Sequence, residues 1–488
     1  MEKKKIGGVE YSCVDPSYFE RRGLKRYARV WHLWALGVGA VISGDFFGWN
    51  FGLAAGGFGG LLLANVIITL MYLGLCFSIA EMTAALPHTG GAYSFARCAM
   101  GPIGGYVTGL AENMEYILTP AVIVVGIGGY LGAIFGTPAS FDPVWWLLAY
   151  VVFVGLNIAG VEISFRFSVV ITVLALIILG VFFIGAVPLF SWDNLFNIEP
   201  SPGRSVWLPK GWTGVLGALP FAIWFYLAIE ELPLAAEESH TPVRDLPKGI
   251  VWGIGTLVLT AFLTLFLNTG VAPGAAGLST SNEPLFEGFR SIFGDGVGTR
   301  LLSLIAVAGL VASFHTIIFA YGRQIYSLSR AGYFPPIFSL THGTRKTPHI
   351  SLVAGAVMGY AVALAIHYMG PESPVGAVLL NMAVFGAVIS YGLQMISYVL
   401  LRLRFPHIHR PFVSPFGLVG AVGALVIALV TLVALFIADP VYQKVVVGAA
   451  LWYALGLLYF FAYGRKRLVL APEEEFAVSA RGESASHL

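Results

Sequence analysis

Apolar residues fill long runs of this chain, and short stretches between them hold nearly all of its charge. At about twenty apolar residues per crossing, the pattern predicts an all-α polytopic membrane protein of about twelve helices. The runs lie near 32–57, 59–85, 102–135, 143–160, 167–187, 213–236, 248–271, 298–329, 349–368, 374–400, 416–437 and 441–463. The third and eighth are long enough to tilt strongly. The longest external connection is 188–212, and Glu283–Arg290 reads as a short amphipathic helix in the loop near 271–297. The tail after Arg467 is polar and is expected to be loosely ordered.

Composition agrees with the pattern. Of 488 residues 57% are hydrophobic and 11% charged, against roughly 25% charged in soluble domains. The net charge of +2 says little about partners, but the placement of the cations says much. Twelve spans leave both termini on one side. With that side in the cytoplasm, 23 of the 28 Lys and Arg residues fall inside, and only Arg204, Lys210, Arg290, Arg300 and Lys444 fall outside. That is the positive-inside distribution expected of a plasma (inner) membrane protein. The charged first thirty residues follow no short apolar run with a cleavage site, so no cleaved signal peptide is expected. Cys13, Cys76 and Cys98 have neither disulfide-framework nor zinc-ligand spacing.

The stretch from Gly37 to Gly52 stands out within the first span, because glycines are dense and Asp45 sits at bilayer depth. Glycine disfavours helix, so a break is predicted near Ser43–Asp45. Broken backbone in hydrocarbon must line a cavity or be buried in protein, and an intramembrane carboxylate marks a functional site. The sixth span is interrupted as well, by Pro220, Glu230, Glu231 and Pro233. Interrupted segments at matching places in two halves point to a transport site. The organisation read from this is a cytoplasmic segment 1–31, a first five-helix repeat 32–187, the external loop 188–212 and a second, inverted repeat 213–400. Accessory helices 11 and 12 (401–463) and a cytoplasmic tail (464–488) follow. Gly48, Gly52, Gly56 and Gly60, like Gly101, Gly105 and Gly109, recur every fourth residue and read as helix-packing faces.

Several motifs resemble those of the amino acid–polyamine–organocation superfamily. They are Gly39–Gly48 in span 1, Pro87–Ala96 after span 2, Glu237–Pro247 after span 6, Tyr321–Pro335 after span 8, and Arg410–Phe412 before span 11. The resemblance implies a LeuT-like core of five plus five helices, with spans 1 and 6 discontinuous and alternating access. Within the superfamily, Val41–Asn50 and Ala111–Pro120 are most similar to ethanolamine permeases. Where amino-acid carriers keep a third small residue in the span-1 break, this chain has Asp45.

A broken helix presents free N–H groups at one pole and free carbonyls at the other. LeuT-like carriers hold the substrate carboxylate at the first pole. Asp45 would occupy that pole as a cap does, making a substrate acid group redundant and repelled by several kcal/mol. The expected substrate is therefore ethanolamine or a similar small primary amine. Its ammonium would meet the carbonyl pole around Val41, Ser43 and Gly44 and a carboxylate from Asp45, Glu112, Glu115 or Glu230. Glu112 and Glu115 share a helix face with Tyr116 beside them. Phe46, Trp224 and Phe225 would add a cation–π wall of roughly 0.5–2 kcal/mol. Ser43, Asn113 or Gln394 would take the hydroxyl.

Plainer readings stand beside these. In one, Asp45 only caps a half-helix; Glu115 and Glu230, each matching a glutamate of related carriers, read equally as coupling or gate residues. Glu112 would face a vestibule, Glu231 would be solvated or paired, and Trp224 and Phe225 would be packing. The coupling candidates are Glu115, Ser313 and Thr316 as ion ligands and His315 as a relay. Span 5 lacks the lysine of some proton-coupled relatives. No cofactor or metal is expected beyond a coupling proton or sodium ion, and symport and exchange stay open. An amino-acid permease, as proton symporter or exchanger, is the alternative within the class. A channel lacks its filter repeats, an enzyme its HExxH or GxSxG, and an ATP-driven pump its phosphate loop. The expected partners are the small-molecule amine and membrane lipid, with no nucleic acid and the oligomeric state open.

Overall fold

Glycine and proline set the helix ends more sharply than charge does. The structure is a computed structural model that describes residues 3–6, 9–12, 14–15, 17–281, 283–294, 296–369, 375–438 and 440–470. Cys13, Arg481 and the tail beyond 470 lie outside the described residues. The first apolar run forms α1 (Val30–Val41) and the short α2 (Ser43–Phe46), and the chain re-enters a helix as α3 (Phe51–Ala85). α3 bends at Gly57, whose φ of 68° is left-handed, so the expected boundary between the first two spans is a kink rather than a loop. α4 (Gly91–Phe135) bends likewise at Gly101, with φ 83°, just before Pro102. The stretch before the kink, expected as loop, is already helical.

Next come α5 (Asp142–Ala159) and α6 (Val161–Ala186), separated only by Gly160. α6 starts six residues before the expected 167, because Glu162 and Arg166 pair at 2.6 Å across one exposed turn instead of ending the helix. The sixth run gives α7 (Gly211–Ile223), an unwound stretch, and a 3₁₀ segment, Ile229–Glu238. α8 (Pro242–Gly270) also begins earlier than expected, with Pro242 in its first turn, where a missing N–H costs nothing. The amphipathic helix read in the seventh-to-eighth loop is α9 (Pro284–Phe293). α10 (Val297–Arg330), α11 (His349–Met369), α12 (Val375–Arg404), α13 (Gly417–Ala438) and α14 (Pro440–Ala462) complete the order. Among the described residues nine helices are long and apolar enough to cross a membrane, and the two shorter apolar segments, Val30–Phe46 and Gly211–Ile223, belong to the interrupted runs.

The helices pack in matched pairs. α4 lies on α12 as α10 lies on α6, α1 lies on α8 as α7 lies on α3, and α4 lies on α5 as α10 lies on α11. α13 covers α3 and α12 from outside this set, and α14 covers α12. The N-terminal segment folds back under the bundle. Strands β1 (Lys3–Ile6) and β2 (Val9–Ser12) form an antiparallel hairpin, and Ser12 bridges in parallel to Val469. Farther along, Tyr27 and Ala28 donate their N–H groups to the Glu238 carbonyl at 2.7 and 2.8 Å.

Candidate functional site

The two interrupted runs meet where a side chain is missing. A β-carbon built on Gly44 would collide with the Trp224 carbonyl oxygen, so the backbones of α2 and of the unwound stretch after α7 touch directly. On the α7 side the chain leaves the helix at Trp224, passes Ala228 in the left-handed region at φ 84°, and resumes at Ile229.

On the α1 side the interruption has two parts. The Ser313 hydroxyl of α10 enters the helical ladder: it donates to the Gly39 carbonyl at 2.9 Å and accepts the Ser43 N–H at 3.0 Å. One hydroxyl thus replaces the backbone bond that would join residues 39 and 43. The helical path then continues through α2 and ends at Phe47 and Gly48, the latter at φ 93°. The interruption therefore flanks the predicted Ser43–Asp45, one part at the Gly39–Ser43 ladder and the other at Phe47 and Gly48. Asp45 stands in the last turn before the second part of the interruption, within α2, its N–H donating to the Ile42 carbonyl at 3.1 Å, rather than at the start of α3. Asn50 anchors the start of α3, accepting the Gly48 N–H at 3.1 Å and donating to the carbonyls of Leu278 and Ser281.

The carboxylates fall into two groups. Asp45 is buried, and the polar groups beside it are the hydroxyls of Thr260 and Thr264 on α8. Asp45 Oδ1 and Thr264 Oγ1 both lack a hydrogen-bond partner. The second group gathers Glu115 and Glu230, whose carboxylates face each other, with Glu112 and Glu231 near them. Span 3 reaches this point because α12 approaches α4 at Gly386, beside the Ala111 carbonyl and the Glu115 N–H. Both oxygens of Glu115, Glu230 and Glu231 are buried without a hydrogen-bond partner, and so is the Tyr116 hydroxyl. Glu231, expected to be solvated or paired, is neither. Glu112 accepts from Gln324 Nε2 at 2.7 Å. Tyr72 and Tyr391 join hydroxyls at 2.9 Å beside Glu230, and the Tyr72 ring packs on Tyr226, 5.1 Å between centroids, toward Asp45.

The other expected residues divide between these groups and the packing around them. Val41 is buried in α1. Phe46 lies against Gly309 of α10, Trp224 against Phe47 and Gly48, and Phe225 stacks on Trp49 at 5.5 Å. Gln394 donates to Ser390 at 3.2 Å and leaves Oε1 without a partner, while Asn113 donates to Gly109 and leaves Oδ1 so. Thr316 donates back to the Ala312 and Ser313 carbonyls of its own helix. His315 has both ring nitrogens engaged, Nδ1 with Asn157 at 3.2 Å and Nε2 with Ser164 at 3.1 Å, in a network away from the carboxylates. The sequence reading missed Thr260, Thr264, Tyr72, Tyr226 and Tyr391. The four-residue spacing of Thr260, Thr264 and Asn268 along one face of α8 was the available signal.

At the end of the bundle where the N-terminal segment packs, carboxylates are paired. Arg323 grips Glu238 through two bonds, Nη2 to Oε1 at 2.9 Å and Nε to Oε2 at 3.3 Å, with both side chains fully buried. Arg330 pairs with Glu237 and reaches His88 and Tyr326, and the Tyr326 hydroxyl donates to the Arg22 carbonyl.

The amino acid permease family matches residues 29–462. An uncharacterized transporter of Rhizobium meliloti (strain 1021) is 30% identical over 430 residues, 86% of this chain and 88% of its own length. The branched-chain amino acid permease BcaP of Bacillus subtilis (strain 168) is 26% identical, covering 91% of this chain and 94% of its own. The methylthioribose transporter of the same organism is 24% identical, with 92% and 95% covered. A match running from the start of α1 to the end of α14, over a bundle of apolar helices with two interrupted runs, has one consequence: this chain is a multi-pass membrane transporter and belongs to the amino acid permease family.

Proposed function

We propose that the protein imports ethanolamine or a closely related small primary amine across the plasma (inner) membrane by alternating access. The observation that carries this reading is a charge imbalance. Asp45, Glu230 and Glu231 are buried in the two interrupted runs and Glu115 is buried in α4 facing Glu230, and among the described residues no Lys, Arg or His forms an ion pair with any of them. A buried carboxylate without a counter-charge is unfavourable by several kcal/mol, so this centre is completed by a proton or by a bound cation, and a small ammonium is the cation that its acidic and aromatic groups suit. The ammonium lies between Glu115 and Glu230, with Tyr116 at its side. Asp45 supplies from the protein the acid group that an amino acid would bring, which leaves a substrate carboxylate redundant.

The architecture of this reading is twelve crossings with both termini in the cytoplasm and two inverted five-helix repeats. Its support is the packing: exchanging the first five spans for the next five turns the α4–α12 contact into α10–α6, and α1–α8 into α7–α3. Membrane lipid is the surrounding partner, and the oligomer is not assigned.

The second reading, an amino-acid permease, is favoured by the family and by the likeness to a branched-chain amino acid permease. Uptake of radiolabelled ethanolamine into proteoliposomes separates the two. The expected result is saturable uptake that small amines compete and alanine, serine or leucine do not, lost in Asp45→Gly. Competition by amino acids with none by amines overturns the amine reading.

A further inference from the structure

The motif Arg410–Phe412 plays no part in the transport centre, and the turn that holds it is one-sided in charge. From Ser373 to Ala438 the chain has no Asp or Glu, and its cations, Arg402, Arg404, His407, His409 and Arg410, fall within nine residues. They lie where α12 ends and the chain turns toward α13. Among the described residues, Glu81 is the acid that pairs with them. Glu81 is buried near the end of α3 and accepts from Arg402 Nη2 at 2.6 Å, the Tyr398 hydroxyl at 2.8 Å and the Ser414 N–H at 2.8 Å. It also pairs with Arg410 Nε at 3.1 Å. Arg410 is spent inside the turn, where Nη1 and Nη2 donate to the carbonyls of Leu401, Phe405, Pro406 and Ile408 and fix its shape. Arg402 and Arg404 are not used up. The Arg402 side chain is 27% exposed, and its Nε has no partner. Arg404 is exposed and donates from Nη1 to the Ala99 carbonyl at 3.0 Å.

The same turn is apolar on its outside. Leu403, Val413, Phe416 and Val419 are exposed, and Arg402 lines a cleft walled by Ala85, Leu86, Leu401 and Ile408. Exposed apolar side chains at the end of a membrane-spanning helix mark the level of the lipid, and arginines at that level meet headgroups. We propose that Arg402 and Arg404 form a binding site for the phosphate of an anionic phospholipid, whose acyl chains lie along the exposed apolar side chains. A guanidinium with one nitrogen on Glu81 and another without a partner suits a phosphate oxygen. Three arginines against one glutamate leave positive charge in excess. That excess selects an anionic lipid over a zwitterionic one, whose own cationic group would meet uncompensated arginines. Glu81 belongs to α3 and Arg402 to α12, so a bound headgroup braces the two helices at the turn. The site does not depend on the amine reading.

Thermal unfolding of the purified full chain in detergent, without amine, tests this. Phosphatidylglycerol added to the micelles is expected to raise the Tm by several degrees, and phosphatidylcholine at the same mole fraction by much less. Arg404→Gln leaves both Glu81 pairs in place and raises the half-saturating mole fraction of phosphatidylglycerol about fivefold, the worth of one arginine at an anionic lipid surface. Arg402→Lys keeps a charge for Glu81, loses the second donor nitrogen and raises it by a similar factor. Arg345→Gln, at an exposed cation of another turn, leaves it unchanged. If Arg402→Lys does not fold, Arg404→Gln still decides. Equal shifts with the two lipids overturn the site, as does a phosphatidylglycerol response that Arg404→Gln leaves intact. An equal weakening in Arg345→Gln shows general surface charge and overturns it too. Inorganic phosphate separates the sources: if phosphate alone gives the full shift and phosphatidylglycerol adds nothing, a free anion is the ligand and the lipid site is overturned.

Discussion

Glu230 and Glu238 lie in the same 3₁₀ segment and are equally buried, yet their surroundings are opposite. Glu238 has the Arg323 guanidinium on it with two hydrogen bonds. Glu230 faces another carboxylate, Glu115, and no cation. The Glu238 end neutralises its own charge, as closed contacts in a protein interior must. The centre does not: its carboxylates have no cation from the chain, and a proton or a bound cation must complete them. A carrier needs this division: contacts that hold one end shut are complete without cargo, while those that receive cargo are incomplete without it.

The largest effect is expected at the junction from which the Glu230 segment hangs. Gly44→Ala drives a methyl group fixed to one backbone into the Trp224 carbonyl of the other. Overpacking usually costs about 1–3 kcal/mol because side chains yield; here none can, so loss of folded protein, read by size-exclusion profile and Tm, is expected. A well-folded, active Gly44→Ala would mean that the two interrupted runs do not touch, and the central group would lose its frame.

The comparison is then sharpened by one substitution made at each glutamate. Glu238→Gln leaves Arg323 buried without its counter-charge, and breaking such a pair costs about 3–5 kcal/mol, seen as a large fall in Tm. Glu230→Gln relieves a repulsion, so the Tm is expected to hold or rise while amine binding weakens by on the order of 2–5 kcal/mol. Equal falls in Tm for the two variants would erase the distinction between a self-neutralised end and a charged centre.

The helices were legible in the sequence because apolar length decides them, and the described spans end within a few residues of the expected bounds except where α4 begins well before its glycine kink, at Gly91, and where α6 and α8 run through charged turns. Both interruptions were legible too, since glycine and proline act locally. The exact end of the first was not. It depends on Ser313, 270 positions away, completing the ladder at Gly39 and Ser43, and no local pattern in α1 announces that partner. For the same reason Asp45 was expected among the ligands of the outer helix start, while the fold turns it toward α8. Side-chain direction at a break is tertiary information. Glu231 shows this again: helical geometry sends it away from Glu230, but the segment is 3₁₀ and is enclosed on all sides.

The smallest effect tests that account of the first interruption. Ser313→Ala removes the hydroxyl from between the Gly39 carbonyl and the Ser43 N–H. If those two groups stayed apart, both would be buried and unsatisfied, and the cost would approach the upper end of about 1–3 kcal/mol per group. They sit four residues apart, however, so they can close the ordinary helical bond once the intruding oxygen is gone. The expected net loss is therefore only about 0.5–1.5 kcal/mol, the worth of one exchanged hydrogen bond, measured as a small drop in Tm. Thr316→Val should fall below even that, because its hydroxyl only bonds back to carbonyls of its own helix. A drop in Ser313→Ala as large as that in Glu238→Gln would show that the ladder cannot re-form, and that the α1 interruption is held open by more than one inserted oxygen.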